Sequence, residues 1–173
     1  MKIVVISGSP RKQAVTQTMM KFVHDYTKSK NAETKFINLS DGGVECYKGY
    51  DVTYSATTTQ AAKDIMDADV WLIGTPIYNS FFSAALKNLF EYVNYKQTAG
   101  KTAGLAILAS GQIGFTDVQT LLTQLMSYFR VITNPKAVFM TVEQIKDGII
   151  DEAGQARLKE LVDETIHLAS RPK

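Results

Sequence analysis

Three short stretches hold the residues with most scope for binding chemistry. Ser7-Gly8-Ser9-Pro10-Arg11, with Thr16 shortly after, offers hydroxyls, a guanidinium and a Gly/Ser turn. Thr75-Pro76-Ile77-Tyr78-Asn79-Ser80 sets apolar and aromatic surface beside amide and hydroxyl groups. Ser110-Gly111-Gln112-Ile113-Gly114 is small and flexible. In the first stretch, a turn that feeds a helix points backbone N–H groups and a positive helix end at one spot. Such a spot favours an anion, typically a phosphate. Arg11 adds a fixed cationic fork, and Ser9 and Thr16 add hydroxyl donors. An ordinary strand–turn–helix with a surface arginine fits the same residues, because short Gly-Ser turns are common.

The elements that must position these stretches are legible as a pattern. Lys2 to Ile6 is a β-branched apolar run, as a buried parallel strand requires. A helix is expected from near Ala14, with Met19, Met20, Phe22, Val23 and Tyr26 on its apolar face. Further strands are expected at 34–39, 70–75, 102–109 and 137–142. Further helices are expected at 59–66, capped by Thr57 or Thr58, and at 84–95, 116–129 and 151–170. Residues 40–58 have no period, and a loop that long in a compact domain is often functional. Asp147-Gly148 reads as a turn. The strict βαβαβαβαβα alternation predicts an α/β fold, one domain over residues 1–173, with a parallel sheet covered by helices on both faces. In such sheets a ligand sits beyond the carboxyl ends of the strands. The strand exits at 7–16, 75–82 and 110–115 therefore converge on one edge.

Bulk properties narrow the partners. The chain has 173 residues, a net charge of +2 and 45% hydrophobic residues, ordinary for a globular domain with a real core. No Lys/Arg run exceeds two residues, which argues against nucleic acid. No apolar stretch approaches the ~20 residues that span a bilayer, so no membrane partner is expected. The single cysteine, Cys46, excludes an intrachain disulfide. A cytoplasmic location is the expectation.

Read together, the three exits offer a phosphate site at one end and a flat, partly apolar, hydrogen-bonding slot at the other. A mononucleotide such as FMN needs both, and composition alone leaves other phosphorylated aromatic ligands open. Gly8-Ser9-Pro10-Arg11 with Thr16, together with Gly74-Thr75-Pro76-Ile77-Tyr78-Asn79-Ser80 and Leu86-Lys87-Asn88, resembles the NADPH-dependent FMN reductase family of flavodoxin-like proteins. The resemblance implies a three-layer flavodoxin-like sandwich with a five-stranded parallel sheet in the order 2-1-3-4-5. It implies FMN as cofactor and NADPH or NADH as hydride donor. A small acceptor such as a flavin or quinone would be reduced by hydride transfer through flavin N5. Carried onto this chain, Ser9, Arg11 and Thr16 hold the phosphate with the backbone N–H groups between Arg11 and Thr16. Pro76, Ile77, Tyr78, Asn79 and Ser80 line the flavin, and Ser110 and Gly111 flank its other edge. A homodimer or homotetramer is implied as well. The chain departs from the family pattern at Ala14 and Val15, where relatives carry small polar residues, at Ile77, and at Phe81-Phe82. A flavodoxin-type electron carrier would be strongly acidic, which this chain is not. A flavin-binding regulatory module on the same fold is the other alternative.

Several residues read as structural. His24 and His167 lie far apart in helices, without metal spacing. Cys46 has no neighbouring motif and Trp71 sits mid-strand, as core. Met19 and Met20 read as core, and Asp64, Asp67 and Asp69 as a solvated cluster. Tyr47, Tyr50 and Tyr54 fit a lid, a subunit contact or plain loop packing. Phe81, Phe82, Leu86, Leu89, Phe90 and Tyr92 exceed what one core stripe needs, so part of that surface is expected at a subunit interface.

Overall fold

The computed structural model describes residues 1–171. Pro172 and Lys173, the last two residues of the expected domain, lie outside them. At the centre run three parallel strands, β1 (Lys2–Ser7), β3 (Val70–Tyr78) and β5 (Thr102–Ala109). Every residue of β5 is buried, because helices cover both faces. β2 (Glu33–Asn38) pairs with the outer side of β1 as one edge strand.

Side chains alternate along each strand, and so divide the core in two. Ile3 and Val5 pack with Met19, Met20 and Val23 of α1 (Val15–Lys28) and with Leu158, Leu161 and Val162 of α5 (Glu152–Ala169). Val4 and Ile6 pack on the opposite face. There they meet α2 (Ala56–Asp67), α3 (Ala84–Glu91) and α4 (Phe115–Tyr128). Trp71 is fully buried and donates its indole N–H to the Ile65 carbonyl at 2.9 Å, as a core residue of its kind should.

The expected five-stranded order 2-1-3-4-5 needs correction. The sheet has seven strands in the order β2-β1-β3-β5-β6, with two further strands off that path. β4 (Phe81–Phe82) folds back antiparallel on the end of β3. The far edge is shared by β6 (Ile132–Thr133), on the start of β5, and β7 (Val138–Thr141), on its end. Pro135 has no N–H and interrupts the edge between them. Asn134 holds the break, donating its N–H to the Ala103 carbonyl at 2.7 Å and its side-chain amide to Thr165 at 3.2 Å. β8 (Ile145–Lys146) and β9 (Ile149–Ile150) form a separate hairpin. Its turn is Asp147-Gly148 with φ of 51° and 78°, the left-handed pair a two-residue hairpin favours.

Helix ends also shift. α2 begins earlier than expected, capped by Ser55 rather than Thr57 or Thr58. α3 ends at Glu91, short of Tyr95, and a single 3₁₀ turn follows at Tyr95–Gln97. Of the six residues whose surface is expected in part at a subunit interface, four are core: Phe82, Leu86, Leu89 and Phe90 are all at most 5% exposed. Phe90 meets Trp71 and Phe129 at ring distances of 5.7 and 5.5 Å, which accounts for the extra aromatic bulk.

α1 lies so close to β3 that a Cβ on Gly74 would stand 2.2 Å from the Met20 sulfur. Gly74→Ala should therefore lower unfolding free energy by about 1–3 kcal/mol. Gly111→Ala, with open space at its Cβ, should change it little. Urea denaturation of the two variants checks the contrast.

Candidate functional site

The first loop is set by the close approach of its turn to β3. The Gly8 N–H donates to the Gly74 carbonyl at 2.8 Å, and a Cβ on Gly8 would stand 2.6 Å from that same oxygen. Ser9 is fully buried beneath the loop. Its Oγ accepts the Arg11 N–H at 3.3 Å and lies 3.0 Å from the Tyr78 hydroxyl. The chain then emerges through exposed Pro10, Arg11 and Lys12. Gln13 reverses it with a φ of 54°, which brings Ala14 to the N-cap of α1. Ala14 supplies no side-chain cap, and the first turn of α1 carries no acidic residue. The Gln17 N–H donates back to the Ala14 carbonyl at 2.8 Å, and the Val15 and Thr16 N–H groups are left for an outside acceptor. Arg11 makes no ion pair among the described residues.

The second loop is a hairpin rather than a strand end. β3 continues through Pro76 and Ile77 to Tyr78, and Asn79 and Ser80 form the turn with φ of 50° and 64°. Asn adopts this left-handed conformation readily, whereas Ser does so at a cost. Ser83 follows, fully buried. Its hydroxyl donates to the Gly8 carbonyl and accepts the Leu86 N–H at 3.0 Å, capping α3. Its own N–H donates to Thr75 Oγ1 at 3.2 Å. One serine therefore ties the first loop, the hairpin and a helix start together. The third loop leaves β5 at Ser110 and ends at Gly114, the N-cap of α4, with a φ of 86° and Ile77 alongside.

The three exits enclose a cleft of about 310 Å³. Its lining includes Arg11, Thr16, Pro76, Ile77, Tyr78 and Ser110 from the ten expected site residues. Ser9 lies underneath, bonded to Tyr78. Asn79 and Ser80 stand at the exposed hairpin turn, and exposed Gly111 lies off the lining. Gln13, Leu108, Ala109 and Val142 also line the cleft and were not anticipated. Leu108 and Ala109 read as strand in sequence, and only the strand order shows that their end opens on this cleft. Ser83 had a readable signal, a serine directly before an apolar helical run. The volume is at the lower end of the roughly 300–1,000 Å³ typical of small-molecule sites. A larger hollow of about 520 Å³ lies between β2 and α2. Asp41 and Asp64 line it, and two carboxylates repel an anionic ligand.

Residues 43–55 do not line the cleft; they fold onto α3 and the start of α2. Asn88 accepts the Tyr47 N–H at 2.8 Å and donates to the Glu45 carbonyl at 2.7 Å. The Tyr92 hydroxyl donates to the same carbonyl at 2.8 Å. Tyr47 and Tyr54 stack at 6.2 Å, and each meets Tyr92 edge-on. Loss of hydration in this cluster pushes the Tyr47 and Tyr92 hydroxyls up to about 12, helped by the hydrogen bond to Tyr50 and by Tyr54 respectively. The Glu45 carboxyl is held below its ordinary value by the Ser55 N–H, which it accepts at 2.6 Å. Of the roles open to these tyrosines, loop packing is the one these contacts support.

A family model described as NADPH-dependent FMN reductase matches residues 1–145. An NAD(P)H-dependent FAD/FMN reductase from Geobacillus thermodenitrificans is 24% identical over 79% of this chain and 75% of its own length. An NADPH azoreductase from a Bacillus species is 27% identical over 95% of this chain and 90% of its own. Among solved structures, the apo form of an NADH:FMN oxidoreductase superposes with a TM-score of 0.82 at 20% identity, covering 99% of this chain and 91% of that one. The α/β architecture is flavodoxin-like.

Because Ser83 caps α3 and holds Gly8 at once, Ser83→Ala should cost about 1–2 kcal/mol from the cap alone. Thermal or urea unfolding reads that loss. A variant as stable as the parent would show that the capping bond contributes nothing.

Proposed function

The chain belongs to the NADPH-dependent FMN reductase family, and on that footing we propose that the cleft above the ends of β1, β3 and β5 is its FMN site. The observation that carries this is the division of the cleft into two unlike ends. Arg11 and the uncapped start of α1 make one end cationic, while Pro76, Ile77 and Tyr78 make the other apolar. A phosphate on a flat ring system matches both ends.

In this reading Arg11, the backbone N–H groups at the start of α1 and Thr16 hold the phosphate. Ser9 braces their loop from below by accepting the Arg11 N–H. Ala14 and Val15 bring no hydroxyls, so their backbone does that work. Pro76, Ile77 and Tyr78 bound the ring, with Asn79 and Ser80 at its rim and Ser110 and Gly111 at the opposite edge. FMN held there would supply the redox chemistry, hydride transfer from NADPH or NADH and electron transfer to a small acceptor such as a flavin, quinone or azo compound. The protein's part is to orient the ring, neutralise the phosphate and exclude water. No titratable pair in the cleft is asked to move a proton.

The test begins with an absorption spectrum after FMN is added and the protein desalted, followed by NADPH consumption with excess FMN. Arg11→Ala should weaken FMN roughly tenfold or more, since it removes a charged hydrogen-bond donor, and leave riboflavin within about twofold. Equal weakening of both flavins would move the phosphate elsewhere.

A homodimer or homotetramer and a cytoplasmic location belong to the same reading. Phe81 is 46% exposed beside a hollow of about 440 Å³ between the hairpin and α3, an apolar shelf suited to a second copy. The one cysteine, Cys46, is an exposed free thiol, which suits a reducing compartment. Light scattering at micromolar protein should read a dimer or tetramer, and a monomer would remove the subunit contact from the reading.

A further inference from the structure

Resting on that site assignment, we propose that the Tyr78 hydroxyl is a positioning group for the phosphate loop, acting through Ser9. The two side chains stand 69 residues apart in the chain and meet at 3.0 Å. Ser9 Oγ also accepts the Arg11 N–H at 3.3 Å. A line of contacts therefore runs from the apolar end of the cleft to the backbone of the residue that supplies its positive charge.

Three features make this line a brace rather than an incidental contact. Ser9 is fully buried, so its hydroxyl depends on protein partners for its hydrogen bonds. A serine hydroxyl has one proton and two lone pairs, and the Arg11 N–H occupies one lone pair. The Tyr78 hydroxyl is the side-chain partner the structure provides for the rest. Tyr78 itself is held by the β3–β4 hairpin, where it pairs with Phe81. That hairpin carries two successive left-handed residues, Asn79 and Ser80, and so has a fixed geometry. The loop on the other side needs such an anchor. Residues 10–13 are exposed and one of them, Gln13, is left-handed without being glycine.

Tyr78 thus serves both ends of the cleft by different parts of one side chain. Its ring bounds the flat apolar end. Its hydroxyl fixes Ser9, Ser9 fixes the Arg11 N–H, and the loop is arranged before the anion arrives. Arranging it in advance lowers the ordering cost of binding. The benefit falls on ligands that carry the phosphate and is absent for those that lack it.

The experiment compares FMN with riboflavin on the full chain, by flavin fluorescence titration, for the parent, Tyr78→Phe, Ser9→Ala and the double variant. Tyr78→Phe keeps the ring and removes only the hydroxyl. We expect it to weaken FMN about five- to tenfold and riboflavin less than about twofold. Ser9→Ala should give the same FMN-selective loss, and adding Tyr78→Phe to it should cost less than about a further twofold, because both act through one brace. Equal loss of FMN and riboflavin in Tyr78→Phe, or full additivity of the two substitutions, would overturn the proposal and leave the FMN site standing. A parent protein that binds FMN no better than riboflavin would instead overturn the phosphate assignment, and this proposal with it.

Discussion

The approach of the Gly8 turn to the Gly74 carbonyl is the constraint from which the site follows. A backbone bond of 2.8 Å there closes the end of β1 onto β3. A Cβ at Gly8 would sit 2.6 Å from the oxygen that accepts this bond, so the bond exists only because the residue is glycine. Gly74 is constrained from the other side, where the Met20 sulfur occupies the place of its missing side chain. These two glycines let α1, β1 and β3 draw together closely enough for the loop after β1 and the hairpin after β3 to share side chains. Ser83 completes the junction by donating to the Gly8 carbonyl. Gly8 is thereby bonded through both its N–H and its C=O, and the loop beyond it leaves from a fixed point.

The architecture was legible because its signals are long and redundant. β1, β3 and β5 are apolar runs buried on both faces, and their limits in sequence match those observed almost to the residue, apart from the extension of β3 to Tyr78. Helices α1, α4 and α5 carry periodic apolar faces and sit where the period places them. The convergence of the three exits followed from alternation alone, and six of the ten expected residues line one cleft. Short strands behaved differently. β4 and β6 are two residues each, too short to show a period, and exist only because a neighbouring strand offers unpaired backbone.

Two readings turn on a point that composition does not carry, which is what side of an element is covered. In sequence, Phe81, Phe82, Phe90 and Tyr92 exceed what a single core stripe needs. Phe90 packs against both Trp71 and Phe129 in the core, whereas Phe81 stays 46% exposed. The tyrosines of 43–55 have no period to tie them down, and a lid, a subunit contact and plain loop packing all fit them in sequence. Loop packing is what the contacts support, because the backbone of Glu45 and Tyr47 is held by the side chains of Asn88, Tyr92 and Thr58, which lie far along the chain. Long-range side-chain-to-backbone bonds of this kind leave no local pattern to read.

The same distinction changes the meaning of Ala14. In sequence it looks like a lost hydroxyl donor at the anion loop. In the structure it is the N-cap of α1, and the comparison that matters is with the other helices. Ser55, Ser83 and Asp151 cap α2, α3 and α5 with side-chain oxygens, each taking up an N–H of the first turn. α1 and α4 begin at Ala14 and Gly114 with no side-chain cap. Ala14 lines the cleft, and Gly114 packs beside Ile77 on its wall. A serine or aspartate at position 14 would consume a donor that an anion needs, and an aspartate would add charge of the wrong sign. An alanine there lowers the intrinsic stability of α1 and leaves its positive end open. Helix capping and anion binding draw on the same few N–H groups, so a helix start that serves one must forgo the other.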